Sequence, residues 1–347
     1  MNIKDNYFPI GKLRHTYLNK LLKNHVNDLE CDDKRIVLGS KLGEDAAVID
    51  MGDKYLVAKT DPITFATDKI GYYVVNVNVN DLVCTGATPM WFQSTILLPE
   101  KKTTEQMIEK IFKSIHDTCK ELNISVIGGH TEVTTGLKHP IIIGSLMGEV
   151  EKEKLVKTEG AEPGDALILT KGIFIEGTSI IGREKANFLR EKGYSEAFIE
   201  KCKKYLYEPG ISVLKEAVIA NDNYKIKSLH DPTEGGLACG IAEMCIASNT
   251  GVLIEGKKIK ILEEPKELSK VFKLNPLNTI SSGSLLIAVK EADAEDLIEK
   301  LKRNKINAEK IGIFTQKDKG IIIQNQEGKK IPLEYSENDE ILKIFKK

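Results

Sequence analysis

Hydrophobic and polar residues alternate in short runs near the start of the chain. Apolar runs at 46–49 and 55–58 flank the turn sequence Asp-Met-Gly-Asp at 50–53, which predicts a β-hairpin. Asp45 begins the first strand of this hairpin and Asp61 ends the second. Because the strands of a hairpin are antiparallel, the start of the first lies beside the end of the second. We therefore expect the two carboxylates to be close together.

The stretch VVNVNVNDLVCTGATPM, residues 74–90, fits two periods at once. As a strand it would place its valines on one face, whereas as a helix beginning near Asp68 it would stack Asn76 and Asn80 one turn apart. Three asparagines are poorly tolerated in a strand, and the glycine and proline at the end of the stretch match a helix stop. We therefore predict a helix. Asp81 would lie in its last turn, where the helix dipole disfavours an anion, so a cation is expected nearby.

The rest of the first half predicts one more helix and two more strands. A helix of about residues 104–122 has threonines at its start and an apolar stripe at helical spacing. A short buried strand at 124–127 then runs into a Gly-Gly-His-Thr-Glu loop at 128–132. A further apolar run at 140–149 predicts another strand.

The segment 151–165 is charged and rich in turn residues, which marks a domain boundary. We predict an N-terminal domain of residues 1–152 and a C-terminal domain of residues 153–347. The second domain opens with a strand at 166–170, and the lysine that follows it, Lys171, is expected to face solvent. Because helices and strands mix without regular alternation, the chain fits an α+β class best.

Composition narrows the classes of partner. The chain has 347 residues, 41% of them hydrophobic, with 50 basic and 51 acidic side chains. This balance gives no electrostatic basis for binding nucleic acid or a membrane surface, so a small molecule or a protein is the expected partner. The start lacks a signal-peptide core and no apolar run approaches the ~20 residues of a membrane span, which predicts a cytoplasmic protein. The six cysteines include no C-x-x-C pair, and buried, unreactive thiols are expected for Cys84, Cys119, Cys239 and Cys245.

Carboxylates recur beside glycine-bearing loops at the ends of the predicted elements. They occur in Gly43-Glu44-Asp45, Thr60-Asp61-Pro62, Asn80-Asp81, the 128–132 segment and the 230–236 segment. Glycine lets backbone amides approach a ligand, and carboxylate oxygens suit a hard cation such as Mg²⁺. The chain has no phosphate-binding loop of the G-x-x-x-x-G-K-S/T type. The pattern therefore favours a nucleotide triphosphate held through metal ions that bridge carboxylate and phosphate oxygens.

Seven motifs in order along the chain resemble those of the superfamily of aminoimidazole ribonucleotide (AIR) synthase. They are GEDAAVI, TDP, NVNDLVCTGATP, VIGGHTEV, PGDALILTKG, HDPTEGGLACGIAEM and SSGSLLIAV. Other members are selenophosphate synthetase, thiamine-monophosphate kinase and the hydrogenase-maturation protein HypE. The resemblance covers residues 11–314, nearly the whole chain, and is strongest to HypE and to AIR-synthase-related proteins.

The resemblance implies a two-domain fold in which the N-terminal domain pairs across a homodimer into a β-barrel and an α+β C-terminal domain covers it. It also implies Mg-ATP in the cleft, with Asp45, Asp61 and Asp81 as metal ligands. The other residues implied at the nucleotide are Gly43, Asn80, Gly128 and Gly129, and those near the reacting centre are Asp231, Glu234 and His130. Packing inside the fold is an equal alternative for Asn80, as is a hydrogen-bonded structural role for His130.

The chemistry that the superfamily shares is ATP-dependent phosphorylation of a substrate oxygen, often an amide or carbonyl oxygen. HypE-type proteins use it to dehydrate a carbamoyl group on their own C-terminal cysteine, and the resemblance also implies a maturation partner protein. No cysteine follows Cys245, so that self-modification is not expected here, and no cysteine-lysine pair near the N-terminus supports selenophosphate synthesis. Two alternatives stay open, a small-metabolite kinase of the thiamine-monophosphate kinase type and a nucleotide-binding partner protein without catalysis.

Overall fold

The computed structural model contains two β-sheets, one in each half of the chain, with helices packed against both. It describes residues 8, 10–13, 15–26, 29, 33–41, 43–44, 46–64, 66–336 and 338–345. This mixture of helices and sheets confirms the α+β class, while the predicted domain limits stay a prediction. No helix in the described ranges has both the length and the apolar character needed to span a bilayer.

A six-stranded sheet organises the first half. Its strands are β1 (Ile36–Leu38), β2 (Ala47–Asp50), β3 (Lys54–Ile63), β4 (Thr88–Pro99), β5 (Ser125–Thr134) and β6 (Ile141–Glu151), in the spatial order β1-β2-β3-β6-β4-β5. The helices of this half are α1 (His15–His25), α2 (Ile70–Cys84) and α3 (Glu105–Glu121). Strands β2 and β3 form the predicted hairpin, with Ala47 opposite Ala58. Strand β5 pairs with β4 in parallel and forms an edge of the sheet.

Helix α2 is the helix predicted for the asparagine-rich stretch, and it is buried over almost all of its length. Asn76 and Asn78 each donate from Nδ2 to the carbonyl oxygen four residues earlier, at 2.9 and 2.8 Å. Their amides are therefore satisfied inside the helix, which allows polar residues at buried positions. Gly144 of β6 lets the sheet approach closely, because a Cβ there would lie 2.4 Å from Nδ2 of Asn78.

A seven-stranded sheet organises the second half. Its strands are β7 (Asp165–Thr170), β8 (Ser228–His230), β9 (Thr250–Glu255), β10 (Leu286–Lys290), β11 (Ala308–Gln316), β12 (Ile321–Gln324) and β13 (Lys330–Pro332), in the order β13-β12-β9-β11-β7-β10-β8. The helices are α4 (Ile175–Glu184), α5 (Ala186–Glu191), α6 (Glu196–Lys204), α7 (Leu214–Asn223), α8 (Gly236–Ser248), α9 (Glu263–Phe272), α10 (Glu291–Arg303) and α11 (Leu342–Phe345). Every residue of the interior strand β7 is buried, so this sheet forms the core of the half.

Three expectations from the sequence are wrong. The strand expected to be buried at 124–127 is largely exposed, since Val126 and Ile127 are each more than half exposed. The segment 128–132 continues strand β5 instead of forming a loop, because parallel pairing with β4 extends to Thr134. Lys171 does not face solvent, because its side chain is only 9% exposed: its Nζ lies 2.8 Å from Glu216 Oε1 and donates to the carbonyl oxygen of Ser212 at 2.6 Å. The four cysteines expected to be buried are buried.

Candidate functional site

A cleft of about 200 Å³ brings residues of the two halves together. The first half contributes Asp61 near the end of β3, and the second half contributes Glu176 of α4 and Glu234 of the loop before α8. The rest of its polar lining consists of Lys12, Thr64, Thr233 and Ser282. A larger groove of about 1070 Å³ runs along α3 but contains none of the residues predicted for the site.

Lys59 joins two of the acidic residues predicted from the sequence. Its Nζ lies 3.4 Å from an oxygen of Asp61 and 3.1 Å from an oxygen of Asp81. Lys59 and Asp61 are two residues apart on β3, so they face the same side of the sheet, toward the last turn of α2 that carries Asp81. The Asp81 side chain is only 4% exposed, and a buried carboxylate needs such a cation. The expected cation beside Asp81 is thus confirmed, and it is Lys59. The sequence could have identified it, because Lys59 precedes Asp61 by two residues on a strand, so both side chains lie on the same face.

Asn80 is fully buried and attaches the second half of the chain to α2. Its Nδ2 donates to the carbonyl oxygen of Ile211 at 2.8 Å, and its Oδ1 accepts from the backbone N–H of Val213 at 2.9 Å. Both ends of the amide are therefore used within the fold. Of the two roles considered for Asn80, the structure supports packing, and we do not retain it as a nucleotide contact.

Lys12 and Glu234 form an ion pair in the lining of the cleft. Lys12 Nζ lies 3.1 Å from Oε2 of Glu234 and donates to Oγ1 of Thr233 at 3.3 Å. Burial raises the pKa of Glu234, but the charge and the hydrogen bond of Lys12 outweigh it, so the net pKa is lowered. Glu234 is therefore ionised at neutral pH, and its negative charge is balanced locally.

Asp231 does not line the cleft and is 2% exposed. Its Oδ1 accepts a hydrogen bond from the Cys84 thiol at 3.8 Å, which ties the loop before α8 to the end of α2. The preceding His230 is also buried, and its Nε2 lies 2.9 Å from Oε2 of Glu243 on α8. The structure thus brings Glu234 into the cleft lining and does not place Asp231 there.

Two further carboxyl groups, of Glu176 and Asp339, lie in the same region, and the sequence did not single them out. Asp339 accepts from the backbone N–H groups of Gly235 and Ile341, each at 2.7 Å. Burial raises the pKa of Glu176 to about 8 and that of Asp339 to about 7. Neither residue belongs to a local pattern that distinguishes it from an exposed acidic side chain, so only the fold reveals them.

The loop that precedes β2 packs against the second half of the chain. Gly43 has φ +87°, and a Cβ there would lie 3.5 Å from the backbone oxygen of Glu243 on α8. Oε2 of Glu44 accepts from the backbone N–H of Thr158 at 3.4 Å. Asp45 lies outside the described residues, so its place beside Asp61 stays a prediction.

Within one chain, the glycines of β5 do not reach the cleft. The register aligns Asp61 with Gly144, Gly144 with Ser94, and Ser94 with Gly129. Three strand spacings therefore separate Asp61 from Gly129, which amounts to about 14 Å. Gly128 occupies the neighbouring position on the same edge strand.

His130 is also remote from the cleft of its own chain, and its side chain is 63% exposed. Its Nε2 lies 3.2 Å from Oε2 of Glu132, which is likewise exposed. Three large apolar side chains on the same strand are more than half exposed, those of Val126, Ile127 and Val133. Strand β5 thus presents an apolar surface together with the Gly-Gly-His segment.

The donor set fits a magnesium ion that also has phosphate and water ligands. No group of three or more His, Cys, Asp or Glu side chains in the described ranges is arranged to hold a metal ion by itself. Magnesium commonly takes only one or two carboxylates from the protein, and phosphate oxygens and waters complete its octahedron. Asp61 and Asp81, which already share one cation, supply that number of carboxylates.

Comparisons with known sequences place the chain in a family. The family described as "AIR synthase related protein, N-terminal domain" matches residues 43–150, and "AIR synthase related protein, C-terminal domain" matches residues 162–325. The chain belongs to the AIR synthase related family. The resemblance inferred from the seven motifs is thereby confirmed.

Several curated relatives are similar over most of this AIR synthase related protein. A hydrogenase expression/formation protein of Methanocaldococcus jannaschii is 33% identical, over 90% of this chain and 92% of the relative. A selenide, water dikinase of the same organism is 25% identical, over 93% of this chain and 94% of the relative. A carbamoyl dehydratase HypE of Cupriavidus necator is 25% identical, over 72% of this chain and 68% of the relative. These names confirm an enzyme family with HypE-like members, and they describe more than one reaction.

Solved structures share the fold at lower identity. A HypE in a HypE–HypF complex gives a TM-score of 0.68 at 23% identity, covering 91% of this chain and 99% of that one. A HypE in complex with ATP gives a TM-score of 0.66 at 20% identity, covering 95% of this chain and 97% of that one. A ThiL protein complexed with AMPPCP and TMP gives a TM-score of 0.69 at 19% identity, covering 93% of this chain and 98% of that one. At these identities the likeness establishes the fold alone.

Proposed function

We propose that this protein is an ATP-dependent enzyme of the HypE type, which binds Mg-ATP and activates a carbonyl- or amide-type oxygen by phosphorylation. The observation that carries the proposal is the convergence of Asp61 and Asp81 on one cation beside a cleft between the two halves. The 33% identical hydrogenase expression/formation protein and the HypE solved with ATP support it.

Asp61 and Asp81 would hold the magnesium ion, together with Asp45. When bound, Mg²⁺ offsets the charge of the phosphates and polarises the phosphoryl group as a Lewis acid. Lys59 now balances the two carboxylates and would then be released to interact with phosphate oxygens.

The second half of the chain would orient the acceptor. Glu234 is an ionised hydrogen-bond acceptor in the cleft, and Lys12 beside it offers a positive charge to an anionic group. An acceptor with a carbamoyl or amide group would find in Glu234 a partner for its N–H. Asp231 would act as a positioning residue, because it does not line the cleft and accepts a hydrogen bond from Cys84 that holds the loop.

A homodimer is part of the proposal. An edge strand with exposed apolar side chains is a surface on which another strand can pair, and β5 has this character. Because the Gly-Gly-His segment 128–130 is remote from the cleft of its own chain, it would contribute to a nucleotide site only across the dimer. A maturation partner protein is proposed by analogy with the HypE that was solved in complex with HypF.

The substitution Asp81→Asn tests the metal site. We expect it to weaken the binding of a non-hydrolysable ATP analogue with Mg²⁺ at least about tenfold, because a ligand of the ion loses its charge. Titration calorimetry measures the affinity. Asp222→Asn is the control, since Asp222 pairs with Lys154 on the surface. Equal affinities for Asp81→Asn and the unaltered protein would show that the metal site is misplaced.

The kinase alternative is supported by the shared fold of the ThiL protein that was solved with AMPPCP and TMP. Product analysis separates the two reactions. A HypE-type enzyme releases ADP and phosphate with carbamoyl or amide substrates, whereas a kinase accumulates a phosphorylated product. Nucleotide binding without turnover in any of these assays would favour a non-catalytic partner protein.

A further inference from the structure

Glu176 differs from the other carboxyl groups that line the cleft, Asp61 and Glu234, because it has no cation beside it in the described part of the chain. Asp61 and Asp81 share Lys59, and Glu234 pairs with Lys12. No comparable ion pair of Glu176 occurs in the described part of the chain, and its Oε2 makes no hydrogen bond there. The residue nevertheless lines the cleft and is only 5% exposed.

The surroundings of Glu176 favour its neutral form. Burial raises its pKa to about 8, the Ser282 hydroxyl opposes this rise, and the negative charges of Glu234, Asp339 and Asp231 add to it. A buried carboxylate without a cation is costly, so the group keeps its proton instead. At pH 7 the side chain is therefore a carboxylic acid.

A neutral carboxyl group can donate a hydrogen bond, which a carboxylate cannot. We propose that Glu176 binds the ligand as a neutral carboxyl group, whose O–H donates to a phosphoryl oxygen in the cleft. This inference rests on the proposed function, because it needs the phosphates of Mg-ATP in this cleft. A proton held at this place lets an acid-rich lining accept an anion without adding another negative charge.

Three other groups near Glu176 have shifted pKa values, namely Glu234, Asp339 and Tyr73. The pKa of Glu234 is lowered, since Lys12 outweighs the effect of burial, and burial raises that of Asp339 only to about 7. Tyr73, on α2, has a pKa raised by burial above its ordinary value of 10. The remaining charged groups that face this region from the N-terminal segment, β3, α2 and the loop before α8 are Lys12, Lys59, Asp61, Asp81 and Asp231.

The test compares Glu176→Gln with the unaltered protein, using Mg²⁺ and a non-hydrolysable ATP analogue in titration calorimetry. The affinity of the unaltered protein should fall roughly tenfold from pH 7.5 to pH 9, because Glu176 loses its proton. Glutamine keeps a neutral donor of the same size, so the variant should bind like the unaltered protein at pH 7.5 and weaken less than about twofold at pH 9. The phosphates are already ionised over this range, with a last pKa of about 6.

Asp165→Asn is the matched control, because burial also raises the pKa of Asp165 but the residue does not line the cleft. It should keep the pH dependence of the unaltered protein. The inference is overturned if the unaltered protein binds the analogue equally tightly at both pH values. It is also overturned if the affinity of Glu176→Gln falls from pH 7.5 to pH 9 as much as the affinity of the unaltered protein does.

Two further outcomes are also decisive. If Glu176→Gln does not fold, calorimetry of the unaltered protein at pH 9 in two buffers of different ionisation enthalpy should show uptake of about one proton per ligand. Absence of this uptake overturns the inference. If the unaltered protein binds no analogue at any pH, the proposed function fails and the inference fails with it, whereas pH-independent binding overturns the inference alone.

Discussion

At the scale of single residues, Lys59 balances the charge of the candidate site. It holds one buried and one partly exposed carboxylate near a single ammonium group, at 3.1 and 3.4 Å. The same arrangement of two carboxylates around one cation suits a divalent ion. On the proposed function, Lys59 balances the two carboxylates that would otherwise hold a magnesium ion.

Replacing Lys59 by methionine should destabilise the protein in a way that magnesium corrects. Removing the cation leaves Asp61 and Asp81 uncompensated, which should lower the free energy of unfolding by about 3 kcal/mol. Adding Mg²⁺ should restore part of this loss, because an ion bound to the folded state stabilises it. Urea unfolding with and without Mg²⁺ measures both effects.

Lys54→Met serves as the control, because Lys54 lies on the same strand but forms partly exposed pairs with Glu149 and Glu151. Its loss should cost less than about 1 kcal/mol and should not respond to magnesium. A Lys59→Met protein that is equally destabilised with and without Mg²⁺ would argue against a metal at these carboxylates.

At the scale of elements, α2 organises the site through its asparagines. Asn78 accepts from the backbone N–H of Asp61 at 3.0 Å, which fixes the strand that carries the carboxylate. Asn80, two residues later, holds the backbone at Ile211 and Val213. The polar residues that made the period of this stretch ambiguous are therefore the attachments of a buried helix to a strand on one side and to the second half of the chain on the other.

Substituting Asn80 by leucine should affect stability and leave nucleotide binding almost unchanged. The carbonyl of Ile211 and the N–H of Val213 would lose their partner inside the protein, which should cost roughly 2–4 kcal/mol. Affinity for the Mg²⁺-bound analogue should change less than about twofold under conditions where the variant is folded, because Asn80 is fully buried and does not line the cleft. Denaturant unfolding and calorimetry measure the two quantities.

Asn223→Ala provides the comparison, since the Asn223 amide is exposed and its partners, the carbonyl of Ile219 and the ammonium group of Lys300, lie at the surface. It should change the free energy of unfolding by less than about 0.5 kcal/mol. A loss of affinity in Asn80→Leu without a loss of stability would return Asn80 to the set of nucleotide ligands.

At the scale of the whole molecule, strand β5 determines how complete the site is in one chain. The strand places its Gly-Gly-His segment about 14 Å from Asp61 across the sheet. It also exposes more than half of Val126, Ile127 and Val133. A second copy paired at this edge would cover the apolar surface and bring the segment to a cleft, which is why we treat the dimer as part of the function.

The substitution Ile127→Lys should separate the proposed dimer. A charge at an exposed apolar position of an edge strand opposes pairing with another strand. Analytical ultracentrifugation should therefore give twice the mass of one chain for the unaltered protein and the mass of one chain for the variant. Phe112→Lys, at another half-exposed apolar residue but on α3, should remain a dimer. A monomeric unaltered protein, or a dimeric Ile127→Lys variant, would remove the dimer from the proposal.

The sequence by itself determined the features that depend on local period and on the order of motifs. The hairpin of β2 and β3, helix α2 with its last-turn Asp81, and the family all follow from residues that are neighbours along the chain. These features are predictable because backbone geometry repeats at 2 or 3.6 residues, so the pattern of apolar positions already reports which side of an element is buried.

Only the tertiary structure decided which charges meet and which carboxyl stays neutral. Glu176 becomes a cleft residue without a cation because α4, the loop before α8 and the C-terminal segment converge around it. The same is true of β5, which parallel pairing holds at the edge of the sheet, away from Asp61. Burial and electrostatic interaction depend on distance through space, which the order of residues along a chain does not contain.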